Sequence, residues 1–257
     1  MIPVERHQQI VALVAERGAI SIAELTERLH VSHMTIRRDV QKLEQQGMVL
    51  SVSGGIQLPE KLVSEPSHQD KEGMYSRQKA AIGELASQQI PDNSCIYLDA
   101  GTTTLALARH LAERQDLLVV TNDFVIANYL MESGQCELIH TGGRVCRENR
   151  SCVGEAAAQA LRNLSIDIAF ISASSWSMRG LSTPSEDKVA VKKAIVEASR
   201  KRMLLCDTSK YGKIATYLAL PMTVFDTIIT DEGLPVTALE TLEQTGINLL
   251  IAKTPTP

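Results

Sequence analysis

Residues 95–104 read CIYLDAGTTT, and this stretch decides the fold of most of the chain. Four residues of a continuous apolar run precede Asp99, as in a strand that is buried on both faces of a parallel sheet. Gly101 then permits a tight turn, and three threonines open a helical segment. A buried strand that turns directly into a helix is the repeating unit of an α/β fold.

Further apolar runs follow toward the C-terminus, at 117–120, 138–139, 168–171, 203–206, 227–229 and 249–251. Segments with apolar residues at three- and four-residue spacing lie between them, such as 104–111, 123–131 and 187–199. Strands that alternate with helices predict a parallel sheet. Ligands of such sheets bind outside the carboxyl ends of the strands, so the residues that follow each run are the candidate site.

The first 58 residues have a different pattern, in which helices precede a short strand pair. A capping box at 21–24 starts one short helix, and Ser32 is placed to cap a second helix from 33 to about 46. Residues 48–57 alternate apolar and small polar side chains around a Gly-Gly turn and predict a two-stranded wing. This part therefore predicts a winged helix-turn-helix, with the helix-turn-helix at about 20–46.

The second helix carries the side chains that a DNA major groove requires. Ile36, Val40 and Leu43 form its apolar stripe, which leaves arginine, lysine, glutamine, threonine and histidine on the remaining surface. These side chains supply donors for guanine and adenine edges and contacts for phosphates, and three cations stand against one acid, Asp39. The candidate DNA-binding residues are Ser32, His33, Thr35, Arg37, Arg38, Gln41 and Lys42, with Ser53 in the wing, where the DNA backbone is commonly touched.

Residues 59–75 are polar and contain two prolines and a glycine, so they predict a linker to an α/β domain at 76–257. The chain of 257 residues has 26 Lys and Arg against 30 Asp and Glu, a formal net charge of -4. Residues 1–58 carry six basic and six acidic side chains, so the negative charge belongs to the rest of the chain. This balance excludes strong, indiscriminate nucleic-acid binding and disfavours an enzyme tethered non-specifically to nucleic acid.

No apolar stretch approaches the roughly 20 residues of a membrane-spanning helix, and no apolar signal core follows Met1. We therefore expect a cytoplasmic protein without a membrane partner. The five cysteines form no C-x-x-C pair, which predicts reduced thiols and no cysteine-based metal site, and no cofactor is expected. A further hypothesis is that Cys146 and Cys152, in an Arg-rich stretch, respond to redox conditions.

Blocks of sequence in both domains match one known pattern. They are Arg6, Ile10, Val14, Ser32 and TIRRDV at 35–40 in the first domain, then DAGTTT at 99–104, TN at 121–122, TGG at 141–143, GE at 154–155 and DTSKYG at 207–212. In this set and order they resemble the DeoR family of bacterial transcriptional regulators. The resemblance implies a recognition helix that starts at Ser32 and a second domain similar in fold to ribose-5-phosphate isomerase. It also implies a cytoplasmic, oligomeric repressor of a sugar catabolic operon that a phosphorylated sugar releases.

Polar residues follow four of the predicted strands and form the candidate effector site. Threonine hydroxyls and backbone N–H groups at a helix start suit phosphate, adjacent glycines let backbone approach a ligand, and an amide and an ammonium suit hydroxyl groups and an anion. The candidates are Asp99, Gly101, Thr102, Thr103, Thr104, Asn122, Gly142, Gly143 and Lys210. Trp176 packing over this pocket and a mobile lid around Arg144, Arg147 and Arg150 are further hypotheses.

A phosphosugar isomerase with an accessory DNA-binding module is the alternative. Isomerisation needs a carboxylate base and an electrophilic partner, and Asp99, Glu148, Glu155 and Lys210 are of the right type. None lies in a recognisable pattern of such an enzyme, and an isomerase has no use for a winged helix. We therefore expect no catalytic residue, and a homo-oligomeric repressor whose paired winged helices bind double-stranded operator DNA.

Overall fold

The computed structural model describes residues 2–254. Its α-helices are α1 (Pro3–Arg17), α2 (Ile22–Leu29), α3 (His33–Gln45), α4 (His68–Gly73), α5 (Ser76–Ser87), α6 (Thr102–Ala108), α7 (Phe124–Ser133), α8 (Glu155–Arg162), α9 (Glu186–Ala198) and α10 (Val236–Glu243). Its strands are β1 (Ala19–Ser21), β2 (Leu50–Val52), β3 (Gly55–Gln57), β4 (Glu60–Leu62), β5 (Cys95–Leu98), β6 (Leu118–Thr121), β7 (Glu137–His140), β8 (Arg144–Cys146), β9 (Ser151–Val153), β10 (Ile166–Ser172), β11 (Ser175–Ser177), β12 (Gly180–Thr183), β13 (Ser199–Leu205), β14 (Lys213–Ala215), β15 (Tyr217–Pro221), β16 (Thr227–Asp231) and β17 (Asn248–Ala252). None of the helices in this part of the chain has the length and apolar character to cross a membrane.

The N-terminal domain packs three helices and a small sheet around one apolar core. The hydroxyls of Ser21 and Ser32 start α2 and α3 by accepting hydrogen bonds from backbone N–H groups three residues on, at 3.1 and 3.3 Å. The winged helix-turn-helix predicted from the sequence is confirmed. Strand β1, which pairs with β3 in the order β1-β3-β2, was not predicted, because three residues are too few to display an alternation.

The larger domain is built on a seven-stranded sheet in the order β17-β16-β13-β10-β5-β6-β7, and all six of its neighbouring pairs are parallel. Each apolar run that the sequence marked as a strand forms one of these seven strands. Alternate side chains enter two cores, so Tyr97 packs on one face of the sheet and Leu98 on the other. The α/β class with a large parallel sheet is therefore confirmed.

The connections of this sheet reverse direction between β5 and β10. From β5 the chain moves outward to β6 and β7, whereas from β10 it moves the other way to β13, β16 and β17. A crevice forms at the carboxyl ends of the two strands where such a reversal occurs. Asp99 follows β5 and Ser172 ends β10, so both lie at this position.

The predicted linker at 59–75 contains two elements that its composition does not reveal. Strand β4 pairs in parallel with β14, with Glu60 opposite Lys213, and α4 follows five residues later. The capping box of Ser67 and Asp70 starts α4. The segment between the domains is therefore attached along the surface of the larger domain.

Close packing of α5 on α6 gives a stability prediction at Gly83. A Cβ atom there would lie 2.7 Å from the backbone carbonyl carbon of Ala106 and the backbone nitrogen of Leu107. Overpacking costs about 1–3 kcal/mol, which exceeds the roughly 1 kcal/mol that alanine gains over glycine in a helix. We expect Gly83→Ala to lower the free energy of unfolding, measured by urea denaturation.

Gly73, at the end of α4, is the matched control, because a Cβ there would meet nothing within 4 Å. Gly73→Ala should leave the free energy of unfolding unchanged or slightly raised. Equal stability of the two variants would show that α5 and α6 are not packed this closely.

Candidate functional site

A small cavity lies at the carboxyl ends of β5 and β10, where the connections of the sheet reverse. Its polar wall includes side chains from the sheet, from α9 and from the linker: Glu65, Asp99, Asn122, Ser172, Lys188 and Lys192. Of the residues that the sequence marked for effector binding, Asp99 and Asn122 lie in this wall. The free volume inside is about 30 Å³.

A buried ion pair between Lys192 and Asp99 forms the floor of the cavity. The same Asp99 oxygen accepts hydrogen bonds from the backbone N–H and the hydroxyl of Ser172, at 2.9 and 3.1 Å. The Lys192 ammonium also donates to the carbonyl oxygen of Ser172, at 2.6 Å. These bonds join β5, β10 and α9 through one charged group. Sequence reasoning missed Lys192, because a lysine on an amphipathic helix gives no signal of burial.

Asn122 fixes the turn that follows β5. Its Oδ1 atom accepts from the hydroxyl of Tyr97 at 2.8 Å and from the backbone N–H of Ala100 at 3.1 Å, while its Nδ2 donates to the carbonyl of Cys152 at 2.8 Å. Burial, together with the nearby Asp99 carboxylate, raises the pKa of Tyr97, so its hydroxyl stays a donor. Both ends of the Asn122 amide are therefore hydrogen-bonded to neighbouring segments, and these bonds fix the cavity wall.

The turn at Gly101 is held by two further residues. Asp123 accepts from the backbone N–H of Gly101 at 3.1 Å and caps α7, and burial raises its pKa to about 6. The hydroxyl of Thr104 lies 2.6 Å from the carbonyl oxygen of Asp99 and donates inward, away from solvent. Thr103 is buried and Thr102 half-buried. The Thr104 hydroxyl therefore stabilises the backbone of this turn and does not point into the cavity.

A second group of lysines lies beside the cavity. Lys71, from α4, donates to Glu65 at 2.6 Å and to the side-chain oxygen of Asn149 at 2.9 Å. Burial lowers the pKa of Lys71 and of Lys79, and the half-buried Lys210 is close enough to lower both further. Lys210 is therefore near the lysine group but does not line the cavity.

The other sequence candidates lie outside the cavity wall. Gly142 and Gly143 have φ angles of 65° and 118°, and Gly143 packs closely on Ala157 of α8. Trp176 is fully buried, with its ring centroid 4.8 Å from that of Tyr211. Arg144 pairs with Asp187 on the surface. Burial raises the pKa of the Cys152 thiol, which opposes the thiolate that redox chemistry requires.

No group of three or more His, Cys, Asp or Glu side chains within residues 2–254 is arranged to hold a metal ion.

The candidate DNA interface is the surface of α3 together with the wing. Ser32, His33, Arg37, Arg38, Lys42 and Ser53 are exposed, and Thr35 and Gln41 are half-buried. Asp39, counted from the sequence as an acid among these cations, is buried instead. It accepts hydrogen bonds from Arg6 at 2.5 and 3.1 Å and lies 2.9 Å from Nε2 of His7.

The pKa of Asp39 follows from these contacts. Burial alone would raise it, but the hydrogen bonds from Arg6 and His7 outweigh burial and lower it. Asp39 therefore remains a carboxylate that anchors α1 to α3. The exposed face of α3 is more cationic than the sequence indicated, because its acid points inward to a partner 33 residues away along the chain.

Helix α3 also contacts the larger domain. The side-chain amide of Gln41 donates to the side-chain oxygen of Gln244, which follows α10, at 2.7 Å. Leu50, in β2, packs against Gly212, whose φ of 78° and close approach leave no room for a side chain. Glu44 is buried beside them and accepts two hydrogen bonds of 2.8 Å from Ser51. In this arrangement part of the candidate DNA surface faces the protein's own α10.

The ion pairs of Glu65 predict a pH dependence of stability. Burial alone would raise the pKa of Glu65, but the ammonium groups of Lys188 and Lys71 outweigh burial and lower it from 4.5 to about 2. As the pH falls, Glu65 is therefore protonated in the unfolded chain before it is protonated in the folded protein. The stabilisation that its ion pairs give the folded state is complete above about pH 5 and is lost toward pH 2. Between pH 7 and 4 the loss amounts to about 1 kcal/mol.

Urea unfolding of the wild type and of Glu65→Gln at both pH values tests this dependence. The stability difference between them should shrink by about 1 kcal/mol at pH 4. Glu60→Gln is the control, because the pair of Glu60 with Lys213 is exposed on the glutamate side. A Glu65→Gln difference that does not change with pH would contradict the ion pairs.

Comparison with known proteins covers both domains. The model of the DeoR-like helix-turn-helix domain matches residues 6–61, and that of the DeoR C-terminal sensor domain matches residues 75–232. A solved ribose 5-phosphate isomerase A from Methanocaldococcus jannaschii is 17% identical over 52% of this chain and 53% of that chain, with a TM-score of 0.38.

Two curated relatives extend the match to nearly the whole chain. The uncharacterized HTH-type transcriptional regulator YgbI of Escherichia coli K12 is 64% identical and covers 98% of this chain and 99% of its own. The glycerol-3-phosphate regulon repressor of the same organism is 33% identical and covers 95% and 97%. Both relatives are named as regulators and match this chain along nearly its whole length, which supports a regulator and not the isomerase alternative. The chain therefore belongs to the DeoR family of transcriptional regulators.

Proposed function

We propose that this regulator is a repressor of a carbohydrate catabolic operon and that a small phosphorylated sugar or sugar acid releases it from DNA. The observation that carries the proposal is the cavity between β5 and β10, where lysine ammonium groups, Asp99 and Asn122 converge. Ammonium groups suit an anionic group, and a wall of polar side chains suits a ligand that carries hydroxyl groups. The name of the glycerol-3-phosphate regulon repressor, a relative along nearly the whole chain, supports an effector of this class.

On the DNA side, α3 is proposed to enter the major groove. The residues proposed for this contact are Ser32, His33, Thr35, Arg37, Arg38, Gln41 and Lys42, with Ser53 of the wing on the backbone. Gln41 cannot bond to a base edge and to Gln244 at once, so a base contact by Gln41 breaks this bond between the domains. We infer that the DNA-bound protein has a second arrangement of the two domains. An effector that favours one arrangement over the other changes the affinity for DNA by that difference.

The proposed effector site extends from the cavity wall to its supporting residues. It comprises Asp99, Asn122 and the turn from Gly101 to Thr104, with Lys210 and the Gly142-Gly143 turn near its edge. Oligomerisation through the larger domains would set the spacing of two winged helices on operator half-sites. We place the protein in the cytoplasm, where its DNA is.

A panel assay tests the function as a whole. Fluorescence anisotropy with labelled DNA from the promoter of its own gene and of the neighbouring operon should show saturable, specific binding. Phosphorylated sugars and sugar acids are then added one at a time, and one class should release the DNA. Binding that does not discriminate these promoters from random DNA, or rapid chemical turnover of a panel member, would contradict the proposal.

Arg37 tests the DNA contact. Arg37→Ala should weaken binding to the specific promoter by about 1–3 kcal/mol and leave folding and effector affinity unchanged, because the side chain is exposed on α3. Arg200→Ala, an exposed arginine of β13 in the other domain, is the matched control and should bind DNA like the wild type. An equal loss on random DNA would identify a phosphate contact instead of base readout.

Thr103 and Lys210 test the effector site. Thr103→Ala and Lys210→Ala should still bind the promoter, but the effector concentration needed for half-maximal release should rise about tenfold or more, since one charge-assisted hydrogen bond is worth about 1.5–3 kcal/mol. Lys201→Ala, an exposed lysine of β13, is the control. If the two variants respond like Lys201→Ala, these residues are not part of the site.

A further inference from the structure

The linker places one of its own carboxylates inside the cavity. Glu65 lies three residues after β4 ends and three residues before α4 begins, and its side chain is 14% exposed. Its carboxylate accepts a hydrogen bond from Lys71 at 2.6 Å and forms an ion pair with Lys188 of α9. The backbone beside it is at the surface, since Val63 is 83% exposed. A surface loop therefore sends a single charged side chain inward.

Glu65 is the counter-charge of this lysine pair. Among residues 2–254 it is the one carboxylate that forms an ion pair with Lys71 or with Lys188. Asp99, the other carboxylate of the cavity wall, is engaged by Lys192 and Ser172. If the Glu65 side chain left, the ammonium groups of Lys188, in the cavity wall, and of Lys71, beside it, would lose their anion. The side-chain oxygen of Asn149 would remain as the second partner of Lys71.

The space inside the cavity is small while Glu65 is in place. Its free volume of about 30 Å³ has room for water but not for a sugar phosphate. Small-molecule pockets usually measure about 300–1,000 Å³. A phosphate or carboxylate therefore reaches Lys71 and Lys188 only when the wall moves. Glu65 is the wall residue whose withdrawal moves a surface loop and leaves the sheet and α9 in place.

We propose that Lys71 and Lys188 form the anion subsite of the effector pocket and that Glu65 is an internal competitor, whose carboxylate the anionic group of the effector replaces. This proposal rests on the proposed function and states how ligand binding to the effector pocket is regulated. The ligand class is a small phosphate or carboxylate anion that carries hydroxyl groups.

The position of Glu65 explains how such a replacement reaches the DNA-binding domain. Glu65 and β4 belong to the same short segment, and β4 holds the linker to β14. The Glu65 ion pairs and the β4 pairing thus fasten the linker at two neighbouring points. An anion that binds Lys71 and Lys188 replaces the Glu65 ion pairs and so removes one of these two attachments. The segment that leads to the wing is then less constrained. Reciprocally, every interaction that keeps Glu65 in place weakens the affinity for the anion.

Isothermal titration of the full-length protein with inorganic phosphate tests the internal competitor. Glu65→Gln keeps the size of the side chain and removes its charge, so the affinity for phosphate should rise about tenfold or more over the wild type. Glu60→Gln, on the same linker but outside the cavity, should match the wild type. Adding Lys188→Met to Glu65→Gln should abolish the gain. D-Gluconate in place of phosphate shows whether a carboxylate is also accepted.

Glu65→Asp keeps the test decisive if Glu65→Gln does not fold. Its carboxylate is one methylene shorter and reaches the lysines less well, so its phosphate affinity should lie between those of the wild type and Glu65→Gln. Phosphate affinity that is unchanged or lower in the folded Glu65 variants would overturn the proposal. If an inducer still releases DNA normally in that case, the internal competitor fails and the proposed function stands.

The opposite pair of results is also informative. If Glu65→Gln gains phosphate affinity and Lys188→Met removes the gain, the anion subsite is supported. If no phosphorylated sugar or sugar acid then changes promoter binding in any variant, the effector-controlled function fails separately from the subsite.

Discussion

The buried pair of Lys192 and Asp99 is the constraint on which the carboxyl edge of the sheet depends. It joins α9, β5 and β10 at the place where the sheet connections reverse, and Ser172 bonds to both of its members. Removal of one member of such a pair leaves an unpaired charge inside the protein and typically costs about 3–5 kcal/mol. These three elements are therefore fixed relative to one another. The positions of the turn at Gly101 and of the cavity wall around Asn122 depend on how β5, β10 and α9 are held together.

The cavity contains two lysine–carboxylate groups of different character. In the first, Lys192 lies on α9 and Asp99 directly follows β5, whereas in the second, the carboxylate of Glu65 comes from the loop between β4 and α4. A switch needs one rigid part and one part with two positions, because a ligand shifts an equilibrium only through different affinities for two states. The floor of the cavity supplies the rigid part. In the proposal, Glu65 supplies the other.

The sequence allowed the framework to be predicted better than the site. Seven continuous apolar runs predicted seven parallel strands, because nearly every residue of a strand that is buried on both faces is apolar. Asp99 and Asn122 were found because they follow such strands. Lys188 and Lys192 were not, since their burial depends on partners far along the chain, and the same spacing occurs on solvated helices. Asp39 was counted with the exposed cations for the same reason, and Glu65 gave no sign at all within a polar, proline-containing segment.

The pairing of β4 with β14 has a consequence for building hybrid regulators. Residues 60–62 lie outside the winged helix-turn-helix, yet they are hydrogen-bonded in a defined register to the larger domain, with Lys61 opposite Ile214. A graft that joins the first domain of one family member to the second of another should thus be spliced before Pro59, so that the strand and Glu65 travel with the sensor. One residue inserted after that point would turn the strand's alternate side chains to the wrong side. For such a graft, residues 59–75 therefore belong with the larger domain, although their composition is that of a linker.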